Sequence, residues 1–122
     1  MMLTLTNLTN QKPPKILWER IKKEVLGKKY DLSLVFAGNT LMKKLNRQYR
    51  RKNRPASVLS FPLSKNEGEV FINLKQKKYS PVYLFIHALL HLKSFKHGAK
   101  MKEQENKLSE FARDLERSDK SR

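Results

Sequence analysis

Between Ser80 and Leu92 the chain carries no charged residue, and apolar side chains fall on nearly every side of the helix that this run would form. Ser80 followed by Pro81 is a strong helix start, an N-cap residue and then a proline in the first turn. The helix, residues 81 to about 93, is too short to span a bilayer, which takes ~20 apolar residues. A helix apolar all round is stable only when other elements enclose it. Everything else in the chain therefore has to build walls around this one segment.

The flanking sequence supplies such walls. Leu3-Thr4-Leu5-Thr6 alternates as a strand does. Pro13-Pro14 opens a helix over residues 15–26, with Ile16, Leu17, Ile21 and Val25 at helical spacing and Gly27 closing it. Residues 32–37 form a compact strand, and Asn39 is placed to cap a helix over residues 40–50 with Leu41, Leu45 and Gln48 or Tyr49 on one face. Residues 57–63 and 69–74 read as two strands joined around Asn66-Glu67-Gly68. A final amphipathic helix covers about 102–115, and 116–122 reads as a frayed tail. There is no internal repeat and no low-complexity linker. The expectation is an α+β fold in one domain, residues 1–122: a single mixed β-sheet of about four strands packed with helices, the helix at 81 buried in the centre.

Charge narrows the partners. Lys and Arg number 27 against 11 acids, a formal net charge of +16. Residues 32–66 contain no acid and hold Lys43, Lys44, Arg47, Arg50, Arg51, Lys52, Arg54 and Lys65. A second acid-free span, 70–102, adds seven lysines, and six of the 11 acids lie in the last twenty residues. Such a field attracts a polyanion at long range, and nucleic acid is the usual one. A basic membrane-surface protein and a merely soluble basic surface are the other readings, but solubility alone does not need an excess this large. The chain has no cysteine, so disulfides and thiolate metal sites are excluded. The first ten residues lack the basic-then-apolar order of a signal peptide. A cytoplasmic location without membrane attachment is expected.

All three histidines fall within eleven residues, His87, His91 and His97. Four apart on a helix, His87 and His91 point the same way, one turn above the other. Two imidazoles so placed both reach one tetrahedral ion at ~2.0–2.1 Å. His97 returns to that ion only if the chain turns sharply after Leu92, near Ser94. Three nitrogens leave a fourth position for water, which suits a catalytic zinc site. The alternative is a pair of hydrogen-bonded core histidines, although two such groups are costly inside an apolar helix. Ala88 stands where a zinc protease would carry its general-base glutamate, so proteolysis is not expected. Phosphodiester cleavage fits better, with an arginine to neutralise the developing charge.

Two segments together carry a resemblance. Asn46, Tyr49 and Arg50, followed by Val58-Leu59-Ser60-Phe61-Pro62, resemble a signature of the YbeY family of bacterial rRNA maturation endoribonucleases. His87-Ala88-Leu89-Leu90-His91 through His97 is similar to that family's metal motif, and Gly68-Glu69-Val70 resembles a strand between the two. The resemblance implies one Zn2+ on His87, His91 and His97 with water completing the site, and Arg50 as the functional arginine beside it. Lys43, Lys44, Arg47, Arg51, Lys52 and Arg54 are candidates for RNA-phosphate contacts. The implied function is 3′-end maturation of small-subunit rRNA and ribosome quality control. The implied partners are ribosomal RNA, the small ribosomal subunit and an Era-type GTPase. The chain departs from the family pattern at Ala56-Ser57, Glu69, Ala88, Ser94, Phe95 and Lys96, and it shortens the stretch between Leu74 and His87.

Two other readings stay open. One is a non-catalytic RNA-binding or ribosome-associated protein on a degenerate version of this fold. The other is zinc as a structural clip, which would want Glu103 or Glu105 as a fourth ligand.

Overall fold

The structure is a computed structural model and describes residues 3–94 and 98–120. In chain order the elements are β1 (Leu3–Asn7), α1 (Trp18–Leu26), β2 (Asp31–Ala37), α2 (Asn39–Arg50), β3 (Val58–Ser64), β4 (Glu67–Asn73), α3 (Pro81–Leu92) and α4 (Ala99–Lys120). Among the described residues, this is an α+β fold with one four-stranded mixed sheet and four helices. The strands lie in the order β1-β2-β4-β3; β1, β2 and β4 run parallel and β3 is antiparallel to β4. β3 is therefore an outer strand, and its register slips between Pro62 and Ser64.

Strand alternation divides the apolar residues between two faces. Leu32, Leu34 and Phe36 of β2 join Val70 and Ile72 of β4 under α1, α3 and α4. Ala37, Leu59, Phe61 and Phe71 pack instead with Leu41, Met42 and Leu45 of α2. On the first face α3 is enclosed as its sequence demands: Leu84, Phe85, Ile86, Ala88, Leu89 and Leu90 are all buried. Trp18 anchors α1 there, its ring 5.7 Å from Phe36 and edge-on to Phe85 at 5.0 Å.

Several boundaries differ from the sequence reading. α1 starts at Trp18 instead of residue 15, with no side-chain cap at Leu17. Residues 12–17 are not helical, and Ile16 packs against the core from that segment. Asn39 does not cap α2; Gly38 does, and the Asn39 Oδ1 accepts from Asn73 Nδ2 at 2.9 Å. The buried Asn73 also donates to Ala56 O at 3.2 Å and accepts from Lys75 N at 2.9 Å, tying the end of β4 to the starts of α2 and β3. The hairpin turn is Lys65-Asn66, earlier than expected, because Glu67 and Gly68 pair with Asp31 and Leu32. α4 runs from 99 to 120 instead of 102 to 115, with i,i+4 and i,i+3 ion pairs Glu103–Lys107 and Asp114–Arg117 on its exposed surface.

Lys22 is the least expected core residue, wholly buried on α1. Its Nζ donates to Tyr30 O at 2.8 Å and Gly27 O at 3.3 Å and lies 3.5 Å from Glu19. The ammonium thus fastens the α1–β2 turn and is neutralised in part by Glu19. Tyr30 then crosses β4 at Gly68, where a Cβ would stand 2.5 Å from the Tyr30 hydroxyl oxygen and 3.1 Å from Leu92. A side chain at position 68 would therefore force Tyr30 or Leu92 to shift. Gly68→Ala should therefore destabilise the fold by about 1–3 kcal/mol, the usual cost of overpacking. Urea unfolding checks this, and unchanged stability would show that Tyr30 yields freely.

Candidate metal centre and cleft

α3 brings His87 and His91 to the margin of the core, both half-buried, while its other faces stay enclosed. Their Nε2 atoms are 3.2 Å apart. Two nitrogens at ~2.0–2.1 Å from one tetrahedral ion lie about 3.3–3.4 Å apart, so this pair fits a shared zinc with almost no adjustment. The same separation also allows a hydrogen bond between the rings. Which nitrogen bears the proton follows from the surroundings. His87 Nδ1 lies 2.6 Å from Glu105 Oε2, and a carboxylate accepts, so Nδ1 keeps its hydrogen. Nε2 of His87 lies on the side shared with His91.

Glu105 comes from α4 and is buried. Burial pushes the Tyr83 hydroxyl above its ordinary pKa; the charge of Glu105, the neighbouring Tyr79 and a hydrogen bond with Glu105 add to the shift. Tyr83 therefore remains a phenol. Glu105 thus stands behind the His87 ring, and Tyr83 lies beside that ring with centroids 5.9 Å apart. Glu103, in contrast, is exposed and paired with Lys107 at 3.4 Å. Neither glutamate is placed as a fourth ligand, because Glu105 occupies the back of His87. The structural-clip reading loses its donor.

His97 lies outside the described residues, as do Phe95 and Lys96. Among the described residues no group of three or more His, Cys, Asp or Glu side chains is arranged to hold a metal. The chain does turn where the spacing of the histidines requires. Lys93 N donates to Leu89 O at 3.0 Å, Ser94 N to His91 O at 2.9 Å, and Ser94 has φ 75°.

Arg50 is the last residue of α2, and Arg51 leaves the helix in left-handed backbone at φ 57°. Two adjoining clefts open along β3, and Arg50 and His87 line both. One, about 350 Å³, is bordered by Asn46, Lys52, Arg54, Tyr79 and Tyr83. The other, about 550 Å³, is bordered by Tyr49, Phe61, Ala88 and His91. Asn46 Nδ2 donates to Arg54 O at 2.8 Å and so holds the loop that carries Lys52 and Arg54 against the cleft. Its Oδ1 is buried without a hydrogen-bond partner among the described residues. Lys43, Arg47 and Arg51 are exposed but border neither cleft, and Lys44 lines a separate groove with Lys75. Spacing alone drew attention to the histidines; Glu105, Tyr83 and Tyr79 give no such local signal, since their roles depend on how α4 and the 75–80 turn pack against α3.

A family model described as Endoribonuclease YbeY matches residues 5–116. The chain belongs to the YbeY family. The Endoribonuclease YbeY of Ehrlichia ruminantium (strain Gardel) is 37% identical over 82 residues, covering 54% of this chain and 52% of that protein. That of Campylobacter jejuni (serotype O:23/36, strain 81-176) is 36% identical over 105 residues, 70% of this chain and 78% of that protein. The match thus spans about half the length of the Ehrlichia relative. The solution structure of TM1509 from Thermotoga maritima superposes with a TM-score of 0.64 at 23% identity, covering 97% of this chain and 93% of that one, a likeness of fold.

Ser94 adopts left-handed backbone without being glycine. Left-handed backbone costs a non-glycine residue ~1–2 kcal/mol, whereas glycine loses ~0.5–1 kcal/mol more conformational freedom on folding. Ser94→Gly should therefore stabilise the chain by roughly 0.5–1 kcal/mol. A melting temperature equal to or below that of the parent would contradict this balance.

Proposed function

We propose that the chain is a zinc-dependent endoribonuclease acting on ribosomal RNA. One observation carries this reading: Arg50, His87 and His91 border one open cleft, with the Nε2 atoms of the two histidines 3.2 Å apart. His87, His91 and His97 would hold one Zn2+, with water in the remaining position. When bound, the ion supplies Lewis acidity for a phosphoryl oxygen or for the attacking water. The chain's own residues do the rest. Glu105 fixes the tautomer and orientation of His87. Arg50 offers two parallel N–H donors to phosphate oxygens, the arrangement suited to charge that grows in the transition state. Lys52 and Arg54, on the rim of one cleft, neutralise neighbouring phosphates. Lys43, Lys44, Arg47 and Arg51 extend the positive field along α2 and its end, which favours capture of a polyanion without reading its sequence.

The names of the relatives and the formal charge of +16 support RNA as the substrate. The resemblance of the two signatures points to the 3′ end of the small-subunit rRNA and to ribosome quality control. The small ribosomal subunit and an Era-type GTPase are the proposed partners. Among the described residues no helix is long and apolar enough to cross a membrane. A second reading, an RNA-binding protein without catalysis, draws on the left-handed Ser94 beside the histidines, a position that disfavours serine.

Single-turnover cleavage of a structured rRNA fragment, with affinity measured on the same preparations, separates the two. Arg50→Ala and Arg50→Lys should each slow cleavage on the order of 100-fold or more while RNA affinity changes only a few-fold. Lysine lacks the planar fork, so cleavage by Arg50→Lys at the parental rate would remove Arg50 from the reaction. RNA binding without any cleavage by the zinc-loaded parent would favour the non-catalytic reading.

The support behind His87 has its own test. Glu105→Gln should weaken zinc binding about 10- to 100-fold, the usual effect of losing a carboxylate partner behind a ligating histidine. Competition against a chromogenic chelator reads this without RNA. Equal affinity in parent and variant would reduce Glu105 to a packing role.

A further inference from the structure

The smaller cleft contains a row of three rings, and the reaction as described gives no role to the outermost of them. Tyr79, Tyr83 and His87 follow one another at four-residue spacing from the turn before α3 into the helix. The Tyr79 and Tyr83 rings stack with centroids 5.6 Å apart and planes inclined by 27°; Tyr83 and His87 lie 5.9 Å apart at 35°. Tyr83 and His87 are half-buried, and His87 is turned to Glu105. Tyr79 is not. It stands at the outer end of the row, 41% exposed, where its ring contributes little to the core.

Its backbone is nevertheless firmly held. Gln76 Oε1 accepts from Tyr79 N at 3.0 Å, and Gln76 Nε2 donates to Tyr79 O at 2.9 Å. One residue on, Ser80 Oγ caps α3 by accepting from Tyr83 N at 3.1 Å. The ring is exposed yet pre-positioned, so little ordering remains to be done when something binds to it. Arg50, Lys52 and Arg54 border the same cleft, and among the described residues no acidic one does. A fixed aromatic face near a set of cations is the combination that receives a base and its adjoining phosphates.

We propose that Tyr79 is a stacking platform for one unpaired nucleobase, adjacent to the phosphodiester held at Arg50. The inference rests on the reading of these clefts as an RNA site and adds a base subsite on the Tyr79 side. A paired base is covered on both faces by its neighbours, so only an unpaired one can lie on the ring. Lys78 Nζ sits 5.3 Å from the Tyr79 ring centroid and competes for it. An exposed cation–π contact is worth roughly 2- to 5-fold in an equilibrium, while stacking of a base on an aromatic side chain is worth about 5- to 150-fold. The base wins, and the displaced ammonium stays close to the phosphate. Every base has such a face, so the subsite tolerates sequence.

The test uses the full chain as purified and a short fluorescein-labelled oligoadenylate, with an abasic residue placed at each position in turn. Anisotropy gives the affinity, and a gel confirms that the oligomer is intact. Tyr79→Ala should bind the unmodified oligomer at least about 5-fold more weakly than the parent, and Tyr79→Phe should bind within about 2-fold of it. At one position the abasic residue should weaken the parent by a similar factor and leave Tyr79→Ala unaffected. If each abasic position weakens parent and Tyr79→Ala alike, the platform does not exist even though RNA binds. If the parent binds no oligomer, the RNA reading of the clefts falls together with the platform.

Discussion

A helix that is apolar on nearly every side has no stable place in water, and α3 is such a helix. Six of its residues are buried: Leu84, Phe85, Ile86, Ala88, Leu89 and Leu90. Each large side chain among them gains about 1.5–3 kcal/mol from leaving water, but only if something closes over it. The sheet closes one side and α1 and α4 close others, so the order of elements along the chain serves a single burial problem. The histidines are the polar exception within this helix. They reach solvent only where the enclosure stops, and that margin is where the clefts open.

The same constraint explains why the support for His87 comes from far along the chain. A half-buried imidazole needs a partner, and α4, packed on α3 for apolar reasons, delivers Glu105 to its Nδ1. Met101 and Ala112 of α4 are buried against the core, and Glu105 lies between them in sequence. Packing and orientation of the histidine are one event. On the opposite wall, Asn46 ties the 51–55 loop to α2 through Arg54 O and so determines which cations border the site. A cluster that looks uniform in sequence is divided by this tether: Arg50, Lys52 and Arg54 at the cleft, Lys43, Arg47 and Arg51 outside it.

The departures from the family pattern now have physical places. The shortened stretch before His87 is a tight turn, closed by the paired hydrogen bonds between Gln76 and Tyr79. Ala88 lies buried in the cleft wall between the two histidines, so no carboxylate stands there. Ser94 makes the turn with a positive φ, where glycine would be free of strain.

Much of this was legible without coordinates. Periodicity, turn residues and an all-round apolar run located the strands and helices, Ser80-Pro81 marked the start of α3, and H-x3-H spacing put His87 and His91 on one face, because these depend only on local backbone geometry. Local signals erred where a distant partner intervened. Asn39 had the chemistry of a cap, but Asn73 takes its side chain; Lys22 carries no local sign of burial, yet the carbonyls of Gly27 and Tyr30 draw it inside. The sequence by itself determined the elements, the buried central helix and the histidine pair, since each follows from spacing along one segment. Only the tertiary structure decided which carboxylate stands behind His87, which cations face it and that Tyr79 is held open at the end of the cleft. Those relations join α2, α3, α4 and the 75–80 turn across long separations in sequence, and only the packing of apolar surfaces brings them together.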